Sequence, residues 1–178
     1  MNELLILMKQ MRRAMQPYVL FLYELVFEAN AKSVLEIGFR QGQSTRTILS
    51  ALKDRKDGKL TTISIDLPDS KGRVTEDLLP FWETYSSNSH DEKCKTFLGD
   101  RKFEVIFIDG DHNYEGVKQD FEMYSEFVAP GGYIIFHDVL NPNCGVPKFW
   151  QEVKKETDKY EVLTLNYGFA GVGVLRAI

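Results

Sequence analysis

From residue 33 onward the chain alternates short apolar runs rich in Val and Ile with longer amphipathic stretches, and this alternation constrains the fold more than any other feature. A strand that is apolar on both faces needs cover on both, and the stretches between the runs are long enough to be the covering helices. Strands are predicted over 33–37, 60–66, 95–98, 104–109, 132–137, 161–165 and 172–176, and helices over 44–52, 114–128 and 147–157. In 114–128, Val117, Phe121, Tyr124 and Val128 recur at helical spacing on one face. The last two strands are joined by 166–171, too short a link for a crossover, so they pair antiparallel. The expected class is α/β: a doubly wound, seven-stranded, mostly parallel sheet ending in a C-terminal antiparallel hairpin.

At 178 residues, with 43% hydrophobic and 12% aromatic content, the chain has the size and core material of one domain. A formal net charge of -4 and a pI of about 5.5 oppose docking on nucleic acid or an anionic membrane, leaving small molecules as the expected partners. Cys94 and Cys144 form neither a disulfide framework nor a CxxC site, so a reducing cytoplasm is expected. Near the start, Lys9, Arg12 and Arg13 precede the apolar run PYVLFLYELVF, which then meets Ala29-Asn30-Ala31 in the manner of a signal peptide. Glu24 interrupts that run, and cleavage after Ala31 would leave the strand SVLEIG at a raw terminus. The run is also shorter than the ~20 residues of a membrane span. Residues 1–31 are therefore expected to be a helical segment packed on a domain over 32–178, with an apolar face that could also build a homodimer.

Chemistry is concentrated at strand ends. In VLEIGFRQGQST, residues 34–45, a strand carrying Glu36 runs into Gly38 and Gly42, and Ser44-Thr45 open a helix. Glycine at such a turn lets the backbone bend and lets a ligand approach it, although an ordinary tight turn would read the same way. The spacing is GxxxG and not GxGxxG, which disfavours a nicotinamide dinucleotide. Asp66 closes the second strand, where an acid can accept both hydroxyls of a ribose. Two further motifs, FIDGDH at 107–112 and FHD at 136–138, place ionisable groups at the C-terminal edge of the sheet, where open α/β sheets bind ligands. Asp109, His137 and Asp138 could converge on a divalent cation such as Mg, Mn or Fe, or His137 and Asp138 could form only a turn pair. Asp111 and Asn113 are suited to capping the next helix. The polar segments 68–72 and 86–92 read as mobile loops and one could be a lid. Phe81, Trp82, Tyr85 and Trp150 could wall a planar substrate or simply fill the core.

The order VLEIGxxxGxST, an acid ending the second strand, FIDGDHxYxxVxxD, PGGYIIFHD and a final hairpin resembles the class I S-adenosylmethionine-dependent methyltransferases, which have a Rossmann-like sheet. Within them it is most similar to the small-molecule O-methyltransferase branch, with its catechol-type and macrolide-sugar enzymes, and to the cephalosporin-hydroxylase-like group. The resemblance covers roughly 32–178 and implies transfer of a methyl group from S-adenosylmethionine to a small-molecule hydroxyl. It implies that Glu36, Gly38, Gly42 and Ser44 surround the methionine part of the cofactor, that Asp66 holds the ribose, and that Asp109 lies beside both cofactor and metal. By the same resemblance Asp109, His137 and Asp138 are metal ligands, and His112 is the general base. The segment TFLGDRKFEVIF leaves little room for the helix that commonly encloses adenine in that family. That shortened side, with the apolar N-terminal segment, motivates a rival: a catalytically silent cofactor-binding or partner-binding module on the same fold.

Overall fold

The computed structural model describes residues 16–67, 72–166 and 168–178. Its strands are β1 (Ser33–Ile37), β2 (Lys59–Ser64), β3 (Trp82–Ser86), β4 (Phe103–Ile108), β5 (Val128–His137), β6 (Tyr160–Leu165) and β7 (Val172–Ala177), in one sheet ordered β3-β2-β1-β4-β5-β7-β6. Strands β1 to β5 pair in parallel, while β7 runs antiparallel between β5 and β6, so the sheet ends in the expected hairpin. The helices are α1 (Gln16–Glu28), α2 (Gln43–Arg55), α3 (Lys93–Leu98), α4 (Tyr114–Tyr124) and α5 (Val146–Val153).

The two-residue period of a strand decides which side chains meet which helices. Val34, Val105, Phe107 and Ile135 face the layer of α1 and α2, where Val19, Leu22, Val26, Ile48, Leu49 and Leu52 are buried with them. Leu35, Ile37, Ile106, Ile108, Ile134 and Phe136 face α3, α4 and α5, with Cys94, Leu98, Phe121, Phe149 and Trp150. Continued past the strand ends, the same alternation brings Asp109 and His137 to the α1 and α2 side. Among the described residues, no helix is long and apolar enough to cross a membrane.

Three expectations need correction. The stretch 95–98 is not a strand; it is the body of α3, in which Cys94 and Leu98, one helical turn apart, are both buried. The third strand is instead β3, whose Glu83, Thr84 and Ser86 are too polar to advertise a strand but which pairs in parallel with β2 at the sheet edge. Consequently a helix does stand between β3 and β4, on the side thought to lack one. The predicted helix over 114–128 ends at Tyr124 and passes through a turn of 3₁₀ helix, because Val128 pairs with Phe103 and already belongs to β5.

Of the four aromatics Trp150 is core, and Phe81, Trp82 and Tyr85 are partly buried and packed against the core. Trp82 donates its indole N–H to Thr62 Oγ1 at 2.8 Å and stacks on Phe39, and Tyr85 stacks on Phe97. Trp150 donates to Thr164 Oγ1 on the opposite side of the sheet, at 3.0 Å.

Candidate active site

The strand order reverses between β1 and β4, and the crevice outside their C-terminal ends is where a doubly wound sheet binds its ligand. A cleft of about 1130 Å³ opens there, lined among others by Gly38, Gly42, Ser44, Asp66, Asp109, His112, His137 and Asp138. Gly38 and Asp109 lie against each other at its floor. Gly38 donates to the Ile63 carbonyl and Asp109 to the Ile37 carbonyl, both at 2.9 Å, tying the loop after β1 to its neighbours. With φ of 98°, Gly38 has a conformation that L side chains avoid, and a Cβ would stand 2.2 Å from the Asp109 carbonyl oxygen. Gly42, with φ of 68°, is the N-cap of α2. The Asp66 carboxylate stands exposed at the cleft wall, just past β2.

Glu36 is fully buried beneath this loop, outside the lining of the cleft. It accepts from Ser44 Oγ at 2.6 Å, Thr45 Oγ1 at 2.8 Å and Thr62 Oγ1 at 2.9 Å, so the acid fastens the start of α2 to β1 and β2. Burial outweighs these donors and pushes its carboxyl up from an ordinary 4.5 to about 7. A carboxyl whose folded pKa is raised stabilises the fold while protonated, and that stability is lost as pH climbs from 4.5 through 7. At 1.36 kcal/mol per pKa unit the loss is about 3 kcal/mol. Glu36→Gln, which imitates the protonated acid, is expected to flatten this dependence, melting higher than wild type at pH 8 and alike at pH 4.5. Parallel melting curves for the two proteins across that range would contradict it.

Four ionisable groups from two strand ends meet above the floor. His137 Nδ1 lies 3.3 Å from Asp109 Oδ1 and 3.2 Å from Asp138 Oδ2. His112 Nε2 lies 3.3 Å from Asp109 Oδ1, and its Nδ1 is 3.7 Å from Asp138 Oδ2. Burial alone would lower the His137 pKa, but Asp109 and Asp138 together push it up to about 10. Burial would likewise raise Asp109, yet the two imidazoles hold it at about 2. The hydrogen bond to Asp109 raises His112 above 6.5 against the opposing effect of burial. Asp138 has φ of 62°, a left-handed backbone uncommon for a non-glycine residue, and its Oδ1 accepts from Asn141 Nδ2 at 2.9 Å. Such strain concentrates at functional sites. Ligand atoms of Asp109, His137 and Asp138 lie within 4.8 Å of one another. Neighbouring ligands of a small octahedral cation stand roughly 3 Å apart, so two hard carboxylates and an imidazole in this arrangement fit one. Of the two capping candidates Asn113 is the N-cap, accepting from Gly116 N at 2.9 Å, whereas Asp111 Oδ1 accepts from Asn113 N at 3.0 Å in the turn before the helix.

The cleft also contains residues that sequence reasoning passed over. Tyr18 of α1 is 3% exposed, its ring centroid 4.7 Å from His137 and 5.8 Å from Phe107, and among the described residues its hydroxyl has no hydrogen-bond partner. Burial, then the charges of Asp109, Glu36 and Asp138, raise its pKa and keep the phenol protonated. Within a run of apolar residues it looked like core filler, and only its contact with His137 distinguishes it. On the far wall Asn88, Ser89 and His90 line the cleft. His90 Nε2 stands 3.2 Å from Asp120 Oδ1, with the spacing of a charge pair and without the alignment of a hydrogen bond. Asp120 is fully buried, and a Cβ on Gly110 would stand 2.9 Å from its Oδ2, so the glycine between Asp109 and Asp111 makes room for this pair.

The family model for a methyltransferase domain matches residues 35–139, more than half of the chain, from the middle of β1 to just beyond β5. The chain belongs to the methyltransferase domain family. The matched span contains every predicted site residue: Glu36, Gly38, Gly42, Ser44, Asp66, Asp109, His112, His137 and Asp138. Solved methyltransferases share its fold. The O-methyltransferase TomG from Streptomyces achromogenes, in complex with SAM, superposes with a TM-score of 0.73 at 20% identity, over 91% of this chain and 80% of that one. An O-methyltransferase from Bacillus cereus in complex with SAH gives 0.72 at 21% identity, over 91% and 81%. The N-methyltransferase NodS from Bradyrhizobium japonicum, also with SAH, gives 0.64 at 14% identity, over 92% and 87%. Because O- and N-methylating proteins both adopt this methyltransferase fold, the acceptor atom must be argued from the site. Uncharacterized protein R132 of Acanthamoeba polyphaga mimivirus is 51% identical over 35 residues, a stretch spanning 20% of this chain and 16% of that protein.

Proposed function

We propose that the protein transfers a methyl group from S-adenosylmethionine to a hydroxyl of a small molecule, with a divalent cation at Asp109, His137 and Asp138 and His112 as the base. The observation that carries this reading is the meeting of two carboxylates and two imidazoles beside the Gly38 loop of a methyltransferase-family domain. The cleft suits the cofactor: it exceeds the roughly 300–1,000 Å³ of common ligand sites, its floor is a glycine whose backbone a ligand can approach, and the Asp66 carboxylate is available to a ribose. Bound there, S-adenosylmethionine supplies a methyl group on a sulfonium that departs as a neutral thioether. A divalent cation held by Asp109, His137 and Asp138 supplies the charge that acidifies a hydroxyl beside it. His112 is oriented by Asp109 at its Nε2, which leaves Nδ1 to take the acceptor's proton as the new O–CH₃ bond forms. Hydroxyl acceptors are favoured because a cation held by these carboxylates, with a base beside it, would assist loss of a proton from oxygen.

His137 favours a second reading, in which no cation is needed. With its Nδ1 near both carboxylates and its pKa pushed up to about 10, the imidazolium itself can neutralise Asp109 and Asp138. Chelation separates the two. Under the first reading EDTA abolishes methyl transfer, Mg or Mn restores it, and loading with metal at pH 8 releases close to one proton from His137, measurable by calorimetry in buffers of different ionisation enthalpy. Activity unchanged by EDTA in protein shown free of metal would leave the second reading standing and remove the first.

A further inference from the structure

The Tyr18 hydroxyl is buried at the cleft, chemically able to donate, and without a partner among the described residues. Leaving such a group unsatisfied costs free energy, so a buried orphan donor at a ligand cleft points to an acceptor atom that arrives with the ligand. Of the other hydroxyls lining the cleft, Ser44 donates to Glu36 at 2.6 Å and Ser64 to the Phe39 carbonyl at 3.5 Å, while Ser89 stands on the far wall. The acids whose charges reach Tyr18 also bear on which end of a ligand it would meet. Asp109, Glu36 and Asp138 are the acids that act on it, and they attract cationic parts of a ligand, such as an ammonium or a sulfonium. The carboxylate that accompanies such an ammonium in an amino acid is repelled by these acids and needs a neutral donor beside it, and Tyr18 is one.

On the reading that S-adenosylmethionine is the cofactor, we infer that Tyr18 Oη donates a hydrogen bond to the carboxylate of its amino-acid moiety. This makes α1 part of the cofactor pocket and not merely cover for the sheet. It also explains why a phenol stands in the position of a helix residue otherwise packed on Phe107 and the imidazole of His137, where phenylalanine would fill the same space without a polar atom. Tyr18 is then a binding residue selective for nucleosides that carry the amino acid.

The test compares two ligands, S-adenosylhomocysteine and 5′-methylthioadenosine, which keeps the adenosine and sulfur but lacks the amino acid. Calorimetric Kd values are measured for wild type and Tyr18→Phe, together with the melting temperature of each protein without ligand. The expected result is a loss of about 10-fold in S-adenosylhomocysteine affinity, with methylthioadenosine affinity changed by less than about twofold. Without ligand, Tyr18→Phe melts no lower than wild type, because the ring contacts persist and a buried orphan group is gone. An unchanged ratio of the two affinities overturns the assignment, including the case in which only the acceptor KM moves and the hydroxyl serves the acceptor. A lower melting temperature for ligand-free Tyr18→Phe also overturns it, since the hydroxyl would already have a structural partner. If wild type binds neither nucleoside, the cofactor reading itself falls and this assignment falls with it.

Discussion

His112→Ala is expected to lower kcat for methyl transfer by about 10²–10⁴-fold, the usual contribution of a positioned general base. S-adenosylhomocysteine affinity should stay within about twofold, since the removed imidazole acts on the acceptor. The His112 side chain is 43% exposed, so its loss leaves the protein folded, at a cost of about 1 kcal/mol for the hydrogen bond to Asp109. The pH profile carries the sign. A base must be neutral to accept a proton, and Asp109 raises the His112 pKa above 6.5, so kcat/KM of the wild type should rise with pH along a limb whose midpoint lies above that value. A cation on Asp109 and Asp138 would share their charge and move the midpoint back down. In His112→Ala the limb should disappear. If the variant retains the limb and most of the rate, another group is the base.

Gly38→Ala should be the most damaging single methyl group in the cleft. Its Cβ would be 2.2 Å from the Asp109 carbonyl oxygen, 2.7 Å from the carbonyl carbon and 2.8 Å from Gly110 Cα, all backbone atoms that no rotamer change can move aside. The left-handed conformation costs about 1–3 kcal/mol for a residue with a side chain, and overpacking adds about as much again. Relief requires the loop after β1 to leave the end of β4. That breaks the bond from Asp109 N to the Ile37 carbonyl and displaces the carboxylate on which His112 and His137 both depend. Both nucleoside and metal binding should therefore be lost along with stability. Gly131→Ala is the matched control, because it too has positive φ, 73°, but its Cβ would meet nothing within 4 Å. Chemical denaturation should show a loss of about 1–3 kcal/mol for Gly131→Ala and roughly twice that for Gly38→Ala. Equal losses would mean that backbone strain alone, and not the contact with Asp109, fixes this glycine.

These expectations depend on features that differ in how plainly the sequence displays them. Strands β1, β4 and β5 are covered on both faces, so their burial demands apolar runs, and such runs end visibly at Gly38, Asp109 and His137. The edge strand β3 is half exposed and carries Glu83, Thr84 and Ser86, which erases the signal, while the apolar spacing of α3 is too short to display a helical period. Misplacing those two elements is what made the adenine side look bare. The cluster around Asp109 was legible because carboxylates and imidazoles at buried strand ends lack a structural excuse. Tyr18 and the His90–Asp120 pair were not legible, because each depends on a tertiary contact, between helix and strand end or between loop and helix. Glu36 was placed in the right neighbourhood, but its side chain hydrogen-bonds three hydroxyls under the loop and is absent from the cleft lining.

The central claim is that the cleft between β1 and β4 is built for S-adenosylmethionine, and calorimetric titration of the purified protein with S-adenosylmethionine and S-adenosylhomocysteine tests it most directly. The titration is run with Mg or Mn and again with EDTA. Micromolar binding of both nucleosides is the predicted result, with acceptor methylation confined to the metal-loaded samples. Binding of neither nucleoside under either condition would contradict the account and leave a methyltransferase fold serving as a catalytically silent, partner-binding platform.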